Sequence, residues 1–177
     1  LGMISNWQTW AAPWRSAVPR QSDPVSPPPR MITFLPAAVI SAPGSISSGT
    51  WGLVTWNASD GSDYEGMRQG SRVTIRAAGR YSIAAQVSLG ASATGHCYLM
   101  VRKNSGGSAT GGIAVVQQRI PAAASSQSSI INGAGEASAL NVDDYLELFA
   151  WQNSGGALAL NSGPGETVMS VRWVALD

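Results

Sequence analysis

The chain has few of the side chains that most often carry chemistry. Its 177 residues include one cysteine, Cys97, and one histidine, His96. A lone cysteine closes no disulfide within the chain, so nothing in the fold demands an oxidising compartment. Nor can one histidine and one cysteine complete a zinc site of the usual nitrogen and sulfur ligands. The two are neighbours in a segment that reads as a strand. They therefore point to opposite faces and cannot converge on one ion or form a Cys–His pair. No run of eighteen or more apolar residues is present, so no transmembrane helix is expected. The N-terminus lacks a basic start followed by an apolar stretch, and a secretory signal is not expected there. A net charge of +1 gives no bulk attraction to nucleic acid or to an anionic membrane. No glycine motif follows a strand and opens a helix in the manner of a phosphate cradle. Helical periodicity is missing after residue 30, and no fixed-period repeat occurs.

What the chain does have is 20 glycines, few charges and much Ser, Thr, Val and Ala, the composition of an all-β protein with many turns. The most informative stretch is 140–152. Asn141, Val142, Asp143 and Asp144 form a polar turn that delivers the chain into Tyr145-Leu-Glu-Leu-Phe-Ala-Trp-Gln152. Alternation puts Leu146, Leu148 and Ala150 on one face of this strand and Tyr145, Glu147, Phe149 and Trp151 on the other. Three aromatics on a face open to water would be unusual. The second face is therefore expected to meet something further, and the simplest candidate is another copy of the chain. The strand 96–103 reads the same way, with Cys97, Leu99 and Val101 inward and Tyr98, Met100 and Arg102 on an opposite face too apolar for open water. The segment 80–89 gives the cleanest alternation: Tyr81, Ile83, Ala85, Val87 and Leu89 inward, Arg80, Ser82, Ala84, Gln86 and Ser88 outward. Further short strands are expected at 31–40, 51–56, 71–77, 112–120, 130–140 (broken by Gly133 and Gly135) and 167–176. Eight to ten strands at this spacing describe a sandwich or jelly roll.

Residues 1–30 differ from the rest. Trp7, Trp10 and Trp14 share one helical face, but Pro13 limits any helix to a turn or two, and Pro19, Pro24, Pro27, Pro28 and Pro29 follow. Such a run favours polyproline II, and residues 15–30 would span roughly 50 Å. The segment cannot bury three tryptophans alone. It reads as a docking arm whose tryptophans seat in pockets of a partner, ahead of a second domain at 31–177.

Three segments, in this order and spacing, resemble the C1q/TNF-like jelly-roll family. They are Ala77-Ala-Gly-Arg-Tyr81-Ser-Ile, the strand ending Val101-Arg-Lys-Asn104, and Leu140-Asn-Val-Asp-Asp144-Tyr-Leu-Glu-Leu148; Met169-Ser-Val-Arg-Trp173-Val fits the family's last strand. Asp143 stands where the family usually has glycine. The resemblance covers about residues 45–177. It implies an antiparallel jelly roll of about ten strands that forms a tight homotrimer. Modules of this kind behind an arm look like those of bacteriophage particles, where they serve as head decorations, head fibres or tail-fibre tips.

The remaining polar features read as structure. Asp60, Asp63 and Glu65 lack the spacing of a calcium loop. Asp143 and Asp144 suit a turn in which Asp bonds its own backbone. Arg68, Arg72, Arg76 and Arg80 straddle a loop, a strand and a turn and need not form one patch. Carboxylates are few and mostly in turns, so no catalytic arrangement, metal site or cofactor is expected.

The resulting expectation is a non-enzymatic structural virion protein on the capsid surface, assembled in the host cytoplasm. It would be a homotrimeric head decoration or head fibre (a minor capsid protein). Trp7, Trp10 and Trp14 would anchor it to the major capsid protein or another virion protein. Tyr98, Met100, Tyr145, Phe149 and Trp151 would form the trimer interface. The alternative is a receptor- or glycan-binding tip of a phage tail fibre, with loops 58–70, 105–111 and 122–129 as the recognition surface. A secreted ligand of the TNF kind fits less well, given the arm and the N-terminal composition.

Overall fold

Alternation of apolar and polar residues decides where each strand sits. The structure, a computed structural model, describes residues 44–56, 66–123, 126–163 and 165–175. The expected arm with Trp7, Trp10 and Trp14, the expected strand 31–40 and the acidic loop with Asp60, Asp63 and Glu65 lie outside the described residues.

Eleven strands are described: β1 (Gly44–Ile46), β2 (Trp51–Leu53), β3 (Arg68–Gln69), β4 (Arg72–Thr74), β5 (Gly79–Leu89), β6 (His96–Lys103), β7 (Ile113–Pro121), β8 (Ser129–Leu140), β9 (Tyr145–Gln152), β10 (Leu158–Leu160) and β11 (Val168–Ala175). They form two antiparallel sheets packed as a jelly roll. In the first, β5 is central. Its one edge pairs with β8, its other edge with β11 and, at Leu89, with β10, which carries β1. In the second, β9 is central. Its one edge pairs with β6 and then β7, while β2 and β4 share its other edge and β3 lies outside β4.

The inward residues of β5, Tyr81, Ile83, Ala85, Val87 and Leu89, meet Leu99 and Val101 of β6 and Leu146, Leu148 and Ala150 of β9 in one buried core. The Tyr81 hydroxyl satisfies itself there by donating to the Ala77 carbonyl at 2.6 Å, as a buried phenol must.

Two local expectations need correction. Ser88 does not face water. It is buried, its N–H donates to Thr167 Oγ1 at 3.1 Å, and its hydroxyl takes a hydrogen bond from Asn161 Nδ2 at 3.0 Å. The strand 130–140 is also not broken by its glycines, since β8 runs unbroken through both. A Cβ at Gly133 would lie 2.8 Å from Val116 Cγ1, and one at Gly135 would lie 2.9 Å from the Val115 carbonyl oxygen. The glycines let β8 approach β7 where the two sheets come together.

Candidate functional site

The outer face of the second sheet is built in rows that cross its strands. The row nearest the β6–β7 connection is centred on Glu147, whose side chain is buried although it shares a face with aromatics. The cause is the connection 104–112, which folds back over the sheet. Gly107 N–H donates to Glu147 Oε2 at 2.9 Å, the Ser105 hydroxyl donates to the same oxygen, and Arg72 Nε donates to Oε1 at 2.9 Å. The Arg72 guanidinium also lies 4.2 Å from the Tyr145 ring centroid, and the Tyr145 hydroxyl accepts the Gly106 N–H at 2.9 Å. Burial alone would push the Glu147 carboxyl up. The hydrogen bonds from Ser105, Arg72 and Gly107 and the Arg72 charge outweigh it and hold the group below its ordinary range. In turn the hydrogen bond to Glu147 and its charge raise Arg72.

A second knot closes the base of the loop. Asn104, at φ 53°, donates from Nδ2 to Asp144 Oδ1 at 2.6 Å and accepts the Tyr145 N–H at 2.9 Å. Asp144 Oδ2 accepts the Asn141 N–H at 2.7 Å and pairs with Lys103 Nζ at 2.7 Å. Here too desolvation pulls the carboxyl up. The bonds from Lys103, Asn104 and the Asn141 N–H prevail, so Asp144 sits low. The turn reading of this acid is the one the geometry gives.

Farther along the same face, one row carries Trp51 on β2, Trp151 on β9, Tyr98 on β6 and Arg119 on β7, each cross-strand partner of the next. All three rings are half-buried. Tyr98 and Trp151 meet edge to face with centroids 4.9 Å apart; Trp51 lies 6.1 Å from Tyr98 and 6.4 Å from Trp151. The Arg119 guanidinium sits 5.1 Å from the Tyr98 centroid. Between this ladder and Glu147 runs the row Leu53, Phe149, Met100 and Gln117.

The five residues expected to meet other copies thus share one face but differ in environment. Phe149 and Met100 are 1% and 4% exposed within a single chain, which leaves them almost no area to give a partner. Tyr145 is engaged in the Glu147 knot. Tyr98, Tyr145 and Trp151 stay half-buried; Tyr98 and Trp151 belong to the ladder.

The opposite side of the sandwich is the outer face of β8, β5 and β11. Its central rows pair Ser82 with Glu136 and Arg172, Ala84 with Ala134 and Ser170, and Gln86 with Asn132 and Val168. A shallow depression is lined by Ala84, Gln86, Asn132, Ala134, Val168 and Ser170. Ile130 and Val174 are each 50% exposed; alternation along β8 places Ile130 on this same face, while Val174 sits in the β-bulge between Trp173 and Ala175.

The arginines do not form a patch. Arg72 serves Glu147, Arg76 stands 4.0 Å from Asp143, and Arg80 pairs with Glu136 at 3.1 Å. Cys97 is buried in the core, away from the His96 face, and burial pushes its thiol up despite a hydrogen bond with Ser129. Among the described residues no group of three His, Cys, Asp or Glu side chains could hold a metal ion.

Two functional side chains were not singled out by their sequence signal. Glu147 is one; a carboxylate in an aromatic row was the clue that a donor loop must reach it. The other is Gln152, fully buried, whose Nε2 donates to the Ile46 carbonyl at 2.7 Å and the Gly156 carbonyl at 2.6 Å, joining the first strand to the β9–β10 turn.

No family model and no curated protein matches the chain. Solved structures do match in fold. Eiger TNF from S. frugiperda superposes with a TM-score of 0.58 at 13% identity, covering 82% of this chain and 95% of that one. Murine APRIL at pH 5.0 gives 0.53 at 16% identity, with 73% and 96% covered. The same protein at pH 8.0 gives 0.54 at 17%, with 77% and 95% covered. At such identities the likeness is one of fold, and the fold is the TNF-like jelly roll.

Proposed function

We propose that the chain is a non-enzymatic structural protein that forms a homotrimer and decorates a virus capsid, to which its N-terminal arm ties it. The observation that carries self-association is the outer face of β8, β5 and β11. Small side chains (Ser82, Ala84, Ala134, Ser170) let another surface approach that sheet closely, and exposed Ile130 gives it apolar area to bury. Copies are assigned to this face rather than to the opposite one, because Phe149 and Met100 are already buried within one chain.

The capsid reading rests on the sequence: a proline-rich arm with Trp7, Trp10 and Trp14 preceding a jelly roll suits a particle-bound module. Three arms per trimer would multiply a modest affinity per arm. The virion surface is then the place of action and the host cytoplasm the place of assembly. In the receptor-binding alternative, loop 105–111 would be a preordered recognition element, held at Ser105 and Gly107 by Glu147 with Gly106, Ser108 and Thr110 exposed.

Sedimentation equilibrium of the purified chain tests the first claim. A trimer is expected, and Ala84→Arg should dissociate it while leaving the β-sheet circular dichroism intact; a wild-type monomer at tens of micromolar refutes it. For the arm, deletion of residues 1–20 should leave a folded trimer that no longer binds particles. Continued particle binding by that truncation rejects the arm as the anchor.

A further inference from the structure

We propose that the ladder Trp51–Trp151–Tyr98–Arg119 binds a short acidic saccharide. Four adjacent strands separated by about 4.8 Å each make the row roughly 14 Å long, enough for two or three sugar rings. Its three aromatic rings are half-buried and tilted against one another by 44°, 70° and 90°. They offer faces and edges on the outer surface of the sheet, and among the described residues the row runs straight across four strands. Tyr and Trp pair an apolar body with a polar tip, the combination that suits a ligand with C–H faces and hydroxyl rims.

The flanking polar positions fit the same ligand. His96 lies beside Tyr98 on the outer face, Gln117 faces Met100 in the neighbouring row, and Asn153 holds the start of β6 by accepting the His96 N–H at 2.6 Å. These planar side chains are built to hydrogen-bond hydroxyl groups.

The charge comes from Arg119. Its guanidinium is exposed, stacks on Tyr98 and has no carboxylate partner among the described residues. None of His96, Asn153, Gln117 and the three rings carries negative charge. An unpaired arginine at the end of an aromatic row is complementary to a sugar carboxylate, which it can hold through two parallel N–H bonds. The ladder lies on the sheet opposite the face assigned to self-association, so this site stands or falls independently of the trimer and of any capsid role.

Calorimetric titration of the full chain with sialyllactose and with trigalacturonate tests it, using lactose as the neutral control. At least one acidic probe is expected to bind with a Kd under about 1 mM, and lactose about tenfold more weakly. Arg119→Gln should weaken the acidic probe by about tenfold, close to the lactose level, with an unchanged melting temperature. Trp151→Phe keeps an aromatic residue in the row and should weaken binding less than Trp151→Ala; both are checked for retained trimer mass and circular dichroism. Silence from both acidic probes up to about 10 mM overturns the proposal. So does equal binding of lactose, or an Arg119→Gln variant that binds as the wild type does.

Discussion

Replacing Glu147 by Gln tests whether a buried carboxylate really organises the β6–β7 connection. The side chain keeps its shape but can offer only one oxygen. If that oxygen stays toward Ser105 and Gly107, the amide N–H2 faces Arg72 Nε, and two donors confront each other. If it turns toward Arg72, two loop donors lose their acceptor. The first arrangement is cheaper, because the Arg72 side chain is 43% exposed and can swing into water. Losing that half-exposed ion pair costs roughly 0.5–1 kcal/mol. Turning the charge-assisted bonds from Ser105 and Gly107 into neutral ones costs about 0.5–1 kcal/mol each. The total is about 1.5–3 kcal/mol. Urea unfolding at fixed protein concentration reads it as a lower midpoint with an unchanged slope. Hydrogen exchange adds the local test: the Gly107 amide should exchange roughly tenfold or more faster, while amides of β5 shift only with global stability. A midpoint change worth under about 0.5 kcal/mol with Gly107 still protected would mean that the loop is held by Tyr145 and its own turns, and the assignment to Glu147 would be wrong.

Acid should act on the same knot. Glu147 and Asp144 both have folded values below their ordinary 4.5 and 3.8, so their stabilisation is fully present above those values and is lost as pH falls through the lower folded ones. Urea midpoints should therefore stay flat from neutrality to about pH 5 and fall below about pH 4, with a shallower fall in Glu147→Gln; a decline already between pH 7 and 5 contradicts this. Gly112→Ala should cost more than about 2 kcal/mol, because φ is 61° there and a methyl group would overlap the Lys103 carbonyl oxygen. A variant as stable as the wild type would show that the loop end is not in this conformation. Gln152→Ala should loosen β1 by removing its bond to the Ile46 carbonyl, seen as faster exchange of the Leu158 amide in β10 without loss of the trimer.

Much of the architecture could be read from alternation, because a strand with one buried face repeats every second residue. The segments around β5, β6 and β9 declared themselves this way. Strands of three residues such as β1 and β10 cannot show a period, and β3 sits inside a stretch whose Gly and Ser content spells loop. Glycine misled in β8, since a residue chosen for close approach to β7 looks in one dimension like a strand breaker. The aromatic face of β9 was legible as buried, but what buries it was not. Alternation tells which face is apolar and carries no information on whether cover comes from the same chain or another. The partners of Glu147 at Ser105 and Gly107 lie 42 and 40 residues away, beyond any local signal.

Asp143 is a non-glycine residue held in the left-handed region, and the backbone shows what that costs. Its φ is 69°, and its N–H donates to the Ile75 carbonyl at 2.9 Å, so the left-handed conformation is fixed by the turn. A residue with a Cβ gives up roughly 1–2 kcal/mol in that region, and Asp is among the side chains that enter it most readily. The pair with Arg76 at 4.0 Å adds almost nothing, since the Asp143 side chain is 79% exposed. Asp143→Gly removes the steric term but loosens the unfolded chain by about 0.4–1 kcal/mol. The two nearly cancel, and the variant should match the wild type within about 0.5 kcal/mol. Asp143→Ala keeps the Cβ but lacks the readiness of Asp for the left-handed region, so it should fall by about 1 kcal/mol. Asp143→Asn should hold its ground, as it keeps the side chain's polar reach without the charge. If alanine proves as good as aspartate, the turn is not constrained to a left-handed residue. The fixed entry of β9, on which the rows of Glu147 and the aromatic ladder both depend, would then need another source.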